Sequence, residues 1–223
     1  MKKHLWYNEV MEPKPKFFQK HPLLKDILSL VVFVAVVVAG TILLNAYVFR
    51  SYNVVGSSME NTLHNDDRII VNRLPVTWAH FLGEEYVPER GQIIVFANGE
   101  ASGPLTCDVP SGQADQYIIK RVIAFPGERV TVQDGVLTVY NEEYPDGFLP
   151  DADTYVDENN GPKKYSSGEV DMIVPKGEIF VAGDNREGSH SFDSRSGLGT
   201  IPFCRIVGPA AVRIYPFEKI RLF

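Results

Sequence analysis

Residues 27–49 read ILSLVVFVAVVVAGTILLNAYVF, 23 positions without a charged side chain. At ~1.5 Å rise per residue such a helix is about 34 Å long, enough to cross a hydrocarbon core of roughly 30 Å with some tilt. The run therefore predicts a transmembrane anchor helix. The mean hydropathy of the whole chain, −0.09, conceals it. Gly40 and Thr41 interrupt the apolar run, as small residues do in membrane helices.

The flanks give the orientation. Lys14, Lys16, Lys20 and Lys25 lie shortly before the run, whereas the twenty residues after it carry only Arg50 and Arg68 as basic residues. Positive-inside bias puts the N-terminus in the cytoplasm and the residues after the run outside, in the cell membrane as a single-pass protein. A removed export signal is the competing reading, but the apolar core exceeds the usual ~7–15 residues, and Asn45-Ala46-Tyr47 makes a poor A-x-A cleavage site. The expected organisation is a cytoplasmic tail (1–26), an anchor (27–49) and one extracytoplasmic domain (50–223).

Composition narrows the class. The chain is 44% hydrophobic with two cysteines, too apolar for a disordered tail and too cysteine-poor for a disulfide-stapled miniprotein. The first 49 residues take six lysines and three acids, leaving 16 of 22 basic and 25 of 28 acidic residues to the remainder. A domain near −9 offers no cationic face for phosphates, so no nucleic-acid partner is expected. Outside the membrane Cys107 and Cys204 are free to pair or to remain thiols; sequence leaves that open.

Beyond Phe49 the period shortens to alternating or β-branched runs: 52–55, 68–71, 92–96, 117–124, 129–132, 136–140, 179–182 and 205–215. These read as strands, and Gln133-Asp134-Gly135 between two of them reads as a hairpin turn. No long amphipathic helical stretch appears there, so the expected fold is a mainly β extracytoplasmic domain of antiparallel sheets after one transmembrane helix. Residues 141–171, rich in Asp, Glu, Asn, Gly and Pro, read as an insertion or long loop. Pro75 to Pro88 holds Trp78, Phe81 and Tyr86, fitting either a lip at the membrane interface or a loop covering the core.

Three segments carry chemistry. Val55-Gly56-Ser57-Ser58-Met59 offers a serine on a turn, a weak nucleophile until a base takes its proton. Histidine is the usual base, yet His4 and His21 precede the membrane span, and His64, His80 and His190 sit in no triad motif. Lys120 lies on an apolar strand, Tyr117-Ile118-Ile119-Lys120-Arg121. Burial there would favour the neutral amine, which can serve as a base. The third segment, Gly183-Asp184-Asn185-Arg186 through Ser194-Arg195-Ser196, is dense in turn formers, hydroxyls and opposite charges.

At these residues the chain resembles the bacterial type I signal peptidases, or leader peptidases. An N-terminal anchor, Ser58-Met59-x-x-Thr62-Leu63, Tyr117-Ile118-Ile119-Lys120-Arg121 with Pro126-Gly127, and Gly183-Asp184-Asn185-Arg186 leading to Asp193-Ser194-Arg195 occur in the family's order. The resemblance implies Ser58 as nucleophile and Lys120 as general base, a dyad without histidine. It also implies an oxyanion hole from the main chain at Ser58 and Gly56, and a supporting group in which Asp193 and Arg195 pin the loop. Either Ser189 or Ser191 would orient the lysine, with Ser191 favoured by its distance from the charged pair.

The departures are Asn61 where the family usually has proline, Gly56 where some members carry a serine, and two extra residues between Asn185-Arg186 and Asp193. The implied substrates are exported preproteins with Ala-x-Ala cleavage sites. Their extended segment would lie against Val54, Val55, Gly56, Met59, Ile118 and Ile119, with the lipid bilayer as the other partner. No cofactor or metal is implied, and no metal-binding spacing is present. Two other readings remain at this level: a membrane-anchored β-domain that only binds partners, and a sortase-like thiol transpeptidase using Cys204. The self-cleaving repressors of the same serine-lysine group are soluble and carry a DNA-binding segment, which an anchor replaces here.

Overall fold

The computed structural model describes residues 22–60, 62–98, 107, 117–150 and 166–223. It divides into two units, Met1–Leu43 and Leu44–Phe223. The first holds most of helix α1, Pro22–Tyr47. Pro22 suits a helix start because its missing N–H has no intrahelical acceptor there. Residues Leu23–Tyr47 are long and apolar enough to cross a membrane, with a mean hydropathy of 3.0. Apolar side chains surround the whole circumference, the pattern of a helix whose solvent is not water. Thr41 inside it donates its hydroxyl to the Val37 carbonyl at 2.8 Å, so it brings no orphan donor into that medium.

The second unit is mainly antiparallel β. Its strands are β1 (Phe49–Asn53), β2 (Arg68–Asn72), β3 (Ile93–Ala97), β4 (Tyr117–Ala124), β5 (Arg129–Gln133), β6 (Val136–Tyr140), β7 (Val170–Ile173), β8 (Glu178–Ala182), β9 (Ile201–Pro202), β10 (Ile206–Tyr215) and β11 (Arg221–Leu222). The large sheet runs β1-β2-β10-β3-β4-β8-β9, with β11 also on β10, and a small sheet runs β6-β5-β7. Three strands separate β1 from β4, yet the rings of Tyr52 and Tyr117 lie 5.0 Å apart. The large sheet is therefore strongly curled. Val54, Met59, Leu63, Ile69, Val71, Val95 and Val207 are buried inside the curl.

A second core, with Ile94, Phe96, Val122, Val181 and Ile206, covers the other face, and a third joins Ile123, Ala124 and Phe180 to the small sheet. Strand β4 serves all three because its side chains alternate between faces. One pairing detail positions the site. Strand β4 pairs β3 along residues 117–121 but meets β8 only from Arg121 onward. Among the described residues no strand pairs the other edge of 117–120.

Several expectations change. Leu74–Leu82 forms a helix, α2, where sequence suggested none. Its nine residues are too few to show a period, but its boundaries are chemically marked. Leu74 N–H donates to Asn72 Oδ1 at 3.0 Å, Pro75 sits in the first turn, and Gly83 ends the helix at φ 73°. Trp78 and Phe81 stack on its exposed side, while Tyr86 packs into the second core. Strand β7 arises at the end of the stretch read as a loop, and Phe148 bridges to Val139; residues 151–165 lie outside the described residues. The hairpin at Asp134-Gly135 has φ 49° and 79°, as a two-residue turn between β5 and β6 requires.

Candidate active site

The segment after β1 turns at Gly56, whose φ of 92° a side chain would strain. Met59 and Leu63 then sink into the core inside the curl, fixing the turn and leaving Ser58 between them and the groove. Two hydrogen bonds from the Gly183-Asp184-Asn185 segment clamp this turn. Asn185 N–H donates to the Ser58 carbonyl at 3.0 Å, and Asn185 Nδ2 to the Ser57 carbonyl at 3.1 Å. Gly183 must be glycine for this approach, because a Cβ there would overlap both the Ser58 carbonyl oxygen and Ser191 Oγ.

On β4 the Lys120 side chain points into the groove and is 3% exposed. Its Nζ lies 2.7 Å from Ser58 Oγ and 2.9 Å from the Ile119 carbonyl oxygen, to which it donates. Burial brings the lysine pKa down from 10.5 to about 8, against the pull of the Asp193 and Asp184 carboxylates. Near that pH part of the amine is neutral, and at 2.7 Å it is within reach of the Ser58 hydroxyl proton.

Arg121, the next residue on β4, turns the other way. Its Nε and Nη2 grip Asp184 at 2.9 and 2.6 Å, and Nη1 donates to the Gly91 carbonyl at 2.6 Å. The pair is almost fully buried and ties β4 to the segment that clamps the Ser57-Ser58 turn. Asp193 anchors the following loop. Its Oδ2 accepts from Gly183 N–H at 2.8 Å, Ser191 Oγ at 2.5 Å and Arg195 Nη2 at 2.8 Å, and its Oδ1 from Arg195 N and Nε. Burial alone would raise this carboxyl, but the Arg195 guanidinium and the other donors bring its pKa below the ordinary value.

A groove of about 590 Å³ runs past Ser58 and Lys120. Val54, Val55, Gly56, Ile118 and Ile119 line it, with Ile69 and Val95 among its other residues. Three site expectations need correction. Met59 is not on the groove; it is buried beneath the turn as core. Gly56 N–H is not a spare oxyanion donor, because it donates to Asn65 Oδ1 at 2.9 Å. The amides of Ser57 and Ser58 find no acceptor among the described residues. Finally, Ser191 is the buried hydroxyl and Ser189 is exposed, but Ser191 gives its single proton to Asp193. The second partner of the lysine amine is the Ile119 carbonyl, so the hydroxyl of Ser191 bonds Asp193 and not the lysine. Asn61 lies outside the described residues.

Sequence reading also missed groove residues. His190 and Phe192 line it, while Tyr52, Asn53 and Tyr117 stand on the two strand walls that the sequence already suggests. Alternation gives the signal for Phe192: Ser191 and Asp193 point inward, so the residue between them points out. Cys204 is bonded to Cys107, which settles the open pairing and removes the free thiol a sortase-like mechanism needs. Among the described residues no group of His, Cys, Asp and Glu could hold a metal ion.

A family model described as signal peptidase, peptidase S26, matches residues 24–215. The chain belongs to the signal peptidase family. Signal peptidase I T of Bacillus subtilis (strain 168) is 33% identical over 188 residues, covering 84% of this chain and 85% of that protein. A signal peptidase I of Bacillus amyloliquefaciens is 32% identical over 192 residues, covering 84% and 85%. The crystal structure of a signal peptidase I from Enterococcus faecalis V583 matches with 29% identity and a TM-score of 0.33, covering 55% of this chain and 96% of that one. Membership makes the chain a serine peptidase, a hydrolase that acts on the signal peptides of exported preproteins. The N-terminal apolar helix fits a membrane-anchored member.

Proposed function

We propose that Ser58 is the nucleophile and Lys120 the general base of this peptidase, and that it cuts preproteins after Ala-x-Ala sites at the outer face of the cell membrane. One observation carries the reading: the 2.7 Å separation of Lys120 Nζ and Ser58 Oγ, with the amine buried and its pKa lowered to about 8. In the reaction Ser58 Oγ attacks the scissile carbonyl carbon as Lys120 takes the hydroxyl proton. The amine then delivers that proton to the leaving nitrogen, and an acyl-enzyme remains. Lys120 next deprotonates a water that attacks the ester carbonyl, releasing the peptide acid and restoring the serine. The Ser58 amide donates to the oxyanion at each tetrahedral stage, a contact typically worth ~2.7–4 kcal/mol.

The edge of β4 at 118–120, which no strand pairs among the described residues, supports binding of the substrate as an added strand, with main-chain bonds for affinity and small pockets for selectivity. Anchoring supports the same reading, since a tethered enzyme meets an embedded substrate at high effective concentration. In this arrangement residues 1–26 are cytoplasmic, 27–49 span the bilayer, and 50–223 stand outside, the domain binding no nucleic acid. Asp193 and Arg195, with Ser191, hold the loop that fixes Gly183 against the nucleophile turn.

The test is cleavage of one preprotein carrying an Ala-x-Ala site by the full chain and by Ser58→Ala and Lys120→Ala, with N-terminal sequencing of the product. The reading expects a new N-terminus directly after the second alanine from the unaltered chain and at least a hundredfold loss in each variant. Full cleavage by either variant contradicts it.

A further inference from the structure

The groove ends in a cluster that the hydrolytic chemistry does not use. Tyr52 on β1 and Tyr117 on β4 face each other across it with ring centroids 5.0 Å apart. Arg50 lies over both, its guanidinium carbon 5.3 and 5.0 Å from the two centroids, and Nη1 donates to Tyr117 Oη at 3.3 Å. Side chains from β1 and β4 thus meet at the groove, with Arg50 behind the two rings.

Among the described residues, Arg50, Tyr52 and Arg73 bring more donors to this clasp than acceptors. A guanidinium carries five N–H groups, and Arg50 bonds only Tyr117 among the described residues, with no carboxylate paired to it. Tyr52 Oη is buried without a partner, and burial pushes that phenol up to about 12, so it keeps its proton to donate. Arg73 stands near enough to add positive charge, and its Nε is also buried and unpartnered. Buried polar groups normally find partners. A second cation beside unmet donors, in a domain of net charge near −9, describes a place prepared for an incoming acceptor.

Geometry says which part of the substrate arrives there. Tyr117 precedes Lys120 by three residues on β4, about 10 Å at ~3.3 Å per residue. Arg50 follows Tyr47, the last residue of the apolar helix, by three positions, at most about 11 Å of chain. A signal peptide whose apolar part lies in the bilayer enters from that side. This step rests on the proposed function above.

We propose that Arg50, Tyr52 and Tyr117 form a specificity subsite that receives the side chain of the fourth or fifth residue before the scissile bond and selects an acidic or amide group there. Arg50 supplies the charge, Tyr52 a hydroxyl donor, and the two rings a wall that ends the extended segment.

The test uses the full chain in detergent micelles and synthetic signal-peptide substrates with fixed alanines at the first and third positions before the bond. Glu, Gln, Ala or Lys is placed in turn at each of the remaining positions from the second to the seventh. The unaltered chain should prefer Glu over Ala by roughly tenfold in kcat/KM, mainly through KM, and disfavour Lys, with the effect greatest at position four or five. Arg50→Glu should invert the order so that Lys is preferred, an outcome that misfolding cannot mimic, and Tyr52→Phe should shrink the preference. A flat profile, a maximum at position two, or an unchanged order in Arg50→Glu overturns the proposal. So does an Arg50→Glu effect that follows the anionic lipid content of added vesicles rather than the substrate residue, which would make the clasp a headgroup site. Cleavage that survives Ser58→Ala would instead overturn the proposed function.

Discussion

Gly183 and Ser58 are packed so closely that the glycine has no room for a methyl group: a Cβ would meet the Ser58 carbonyl oxygen and Ser191 Oγ together. Ser58 is thus held from behind, by backbone of a segment distant in sequence. Gly183→Ala should therefore displace the turn. The expected cost is about 1–3 kcal/mol in stability, with a loss of roughly a hundredfold in kcat because Ser58 moves relative to Lys120. Kinetics and thermal unfolding of this variant check both, and unchanged kcat would show that the contact does not aim the serine.

The buried pair Arg121–Asp184 should behave asymmetrically. Asp184→Asn leaves the Arg121 guanidinium uncompensated and is expected to destabilise by about 3–5 kcal/mol, measurable by denaturant unfolding. Replacing both residues by apolar ones of similar size should cost less than that single change. If the single substitution is the milder of the two, the charge pair is not what ties β4 to the clamp.

The Cys107–Cys204 bond closes a loop of sequence separation 97, for which chain-entropy arguments give about 4–5 kcal/mol. Cys204→Ser should lower the unfolding midpoint while peptide cleavage persists at temperatures where the domain remains folded. Loss of cleavage by the folded variant would point to a role for sulfur that the serine-lysine reading denies.

Lys120 should also reveal itself in stability. Its pKa is about 8 in the fold and 10.5 as an ordinary lysine. Between those values the unfolded chain holds a proton that the folded one lacks, so stability rises with pH across that window. Below pH 8 both forms carry the proton, and burying the ammonium costs a constant amount of about 3 kcal/mol. Lys120→Met should accordingly be more stable than the unaltered chain at pH 7, with the advantage shrinking by pH 10.5. Unfolding in urea across this range measures it, and a variant less stable at pH 7 would contradict the burial of a strained amine.

Where the sequence was legible, the physics was local. A long uncharged, apolar run reads as one helix, and alternation with an Asp-Gly turn reads as β5, its hairpin and β6. Lys120 stood out because a lysine among β-branched residues on a strand needs a reason. Helix α2 escaped because its identity depends on its ends, Asn72 and Gly83, more than on period, and β7 because a four-residue edge strand is defined by the β5 it pairs with. The site's supports escaped for a different reason. Asp184, Asn185 and Gly183 act on residues 57, 58 and 121 through contacts between distant segments, which local pattern does not encode. The same holds for Met59, whose place beside the nucleophile suggested the groove while its side chain belongs to the core, and for Gly56, whose amide is taken by Asn65 nine residues on.

The central claim is that a neutral Lys120 amine takes the Ser58 proton, and the rate of Ser58 acylation against pH tests it most directly. In single-turnover cleavage of an Ala-x-Ala substrate, the rate should follow one deprotonation with a midpoint near pH 8, falling about tenfold per unit below it. A midpoint near the ordinary histidine value of about 6.5, or a rate indifferent to acid over this range, would contradict the account.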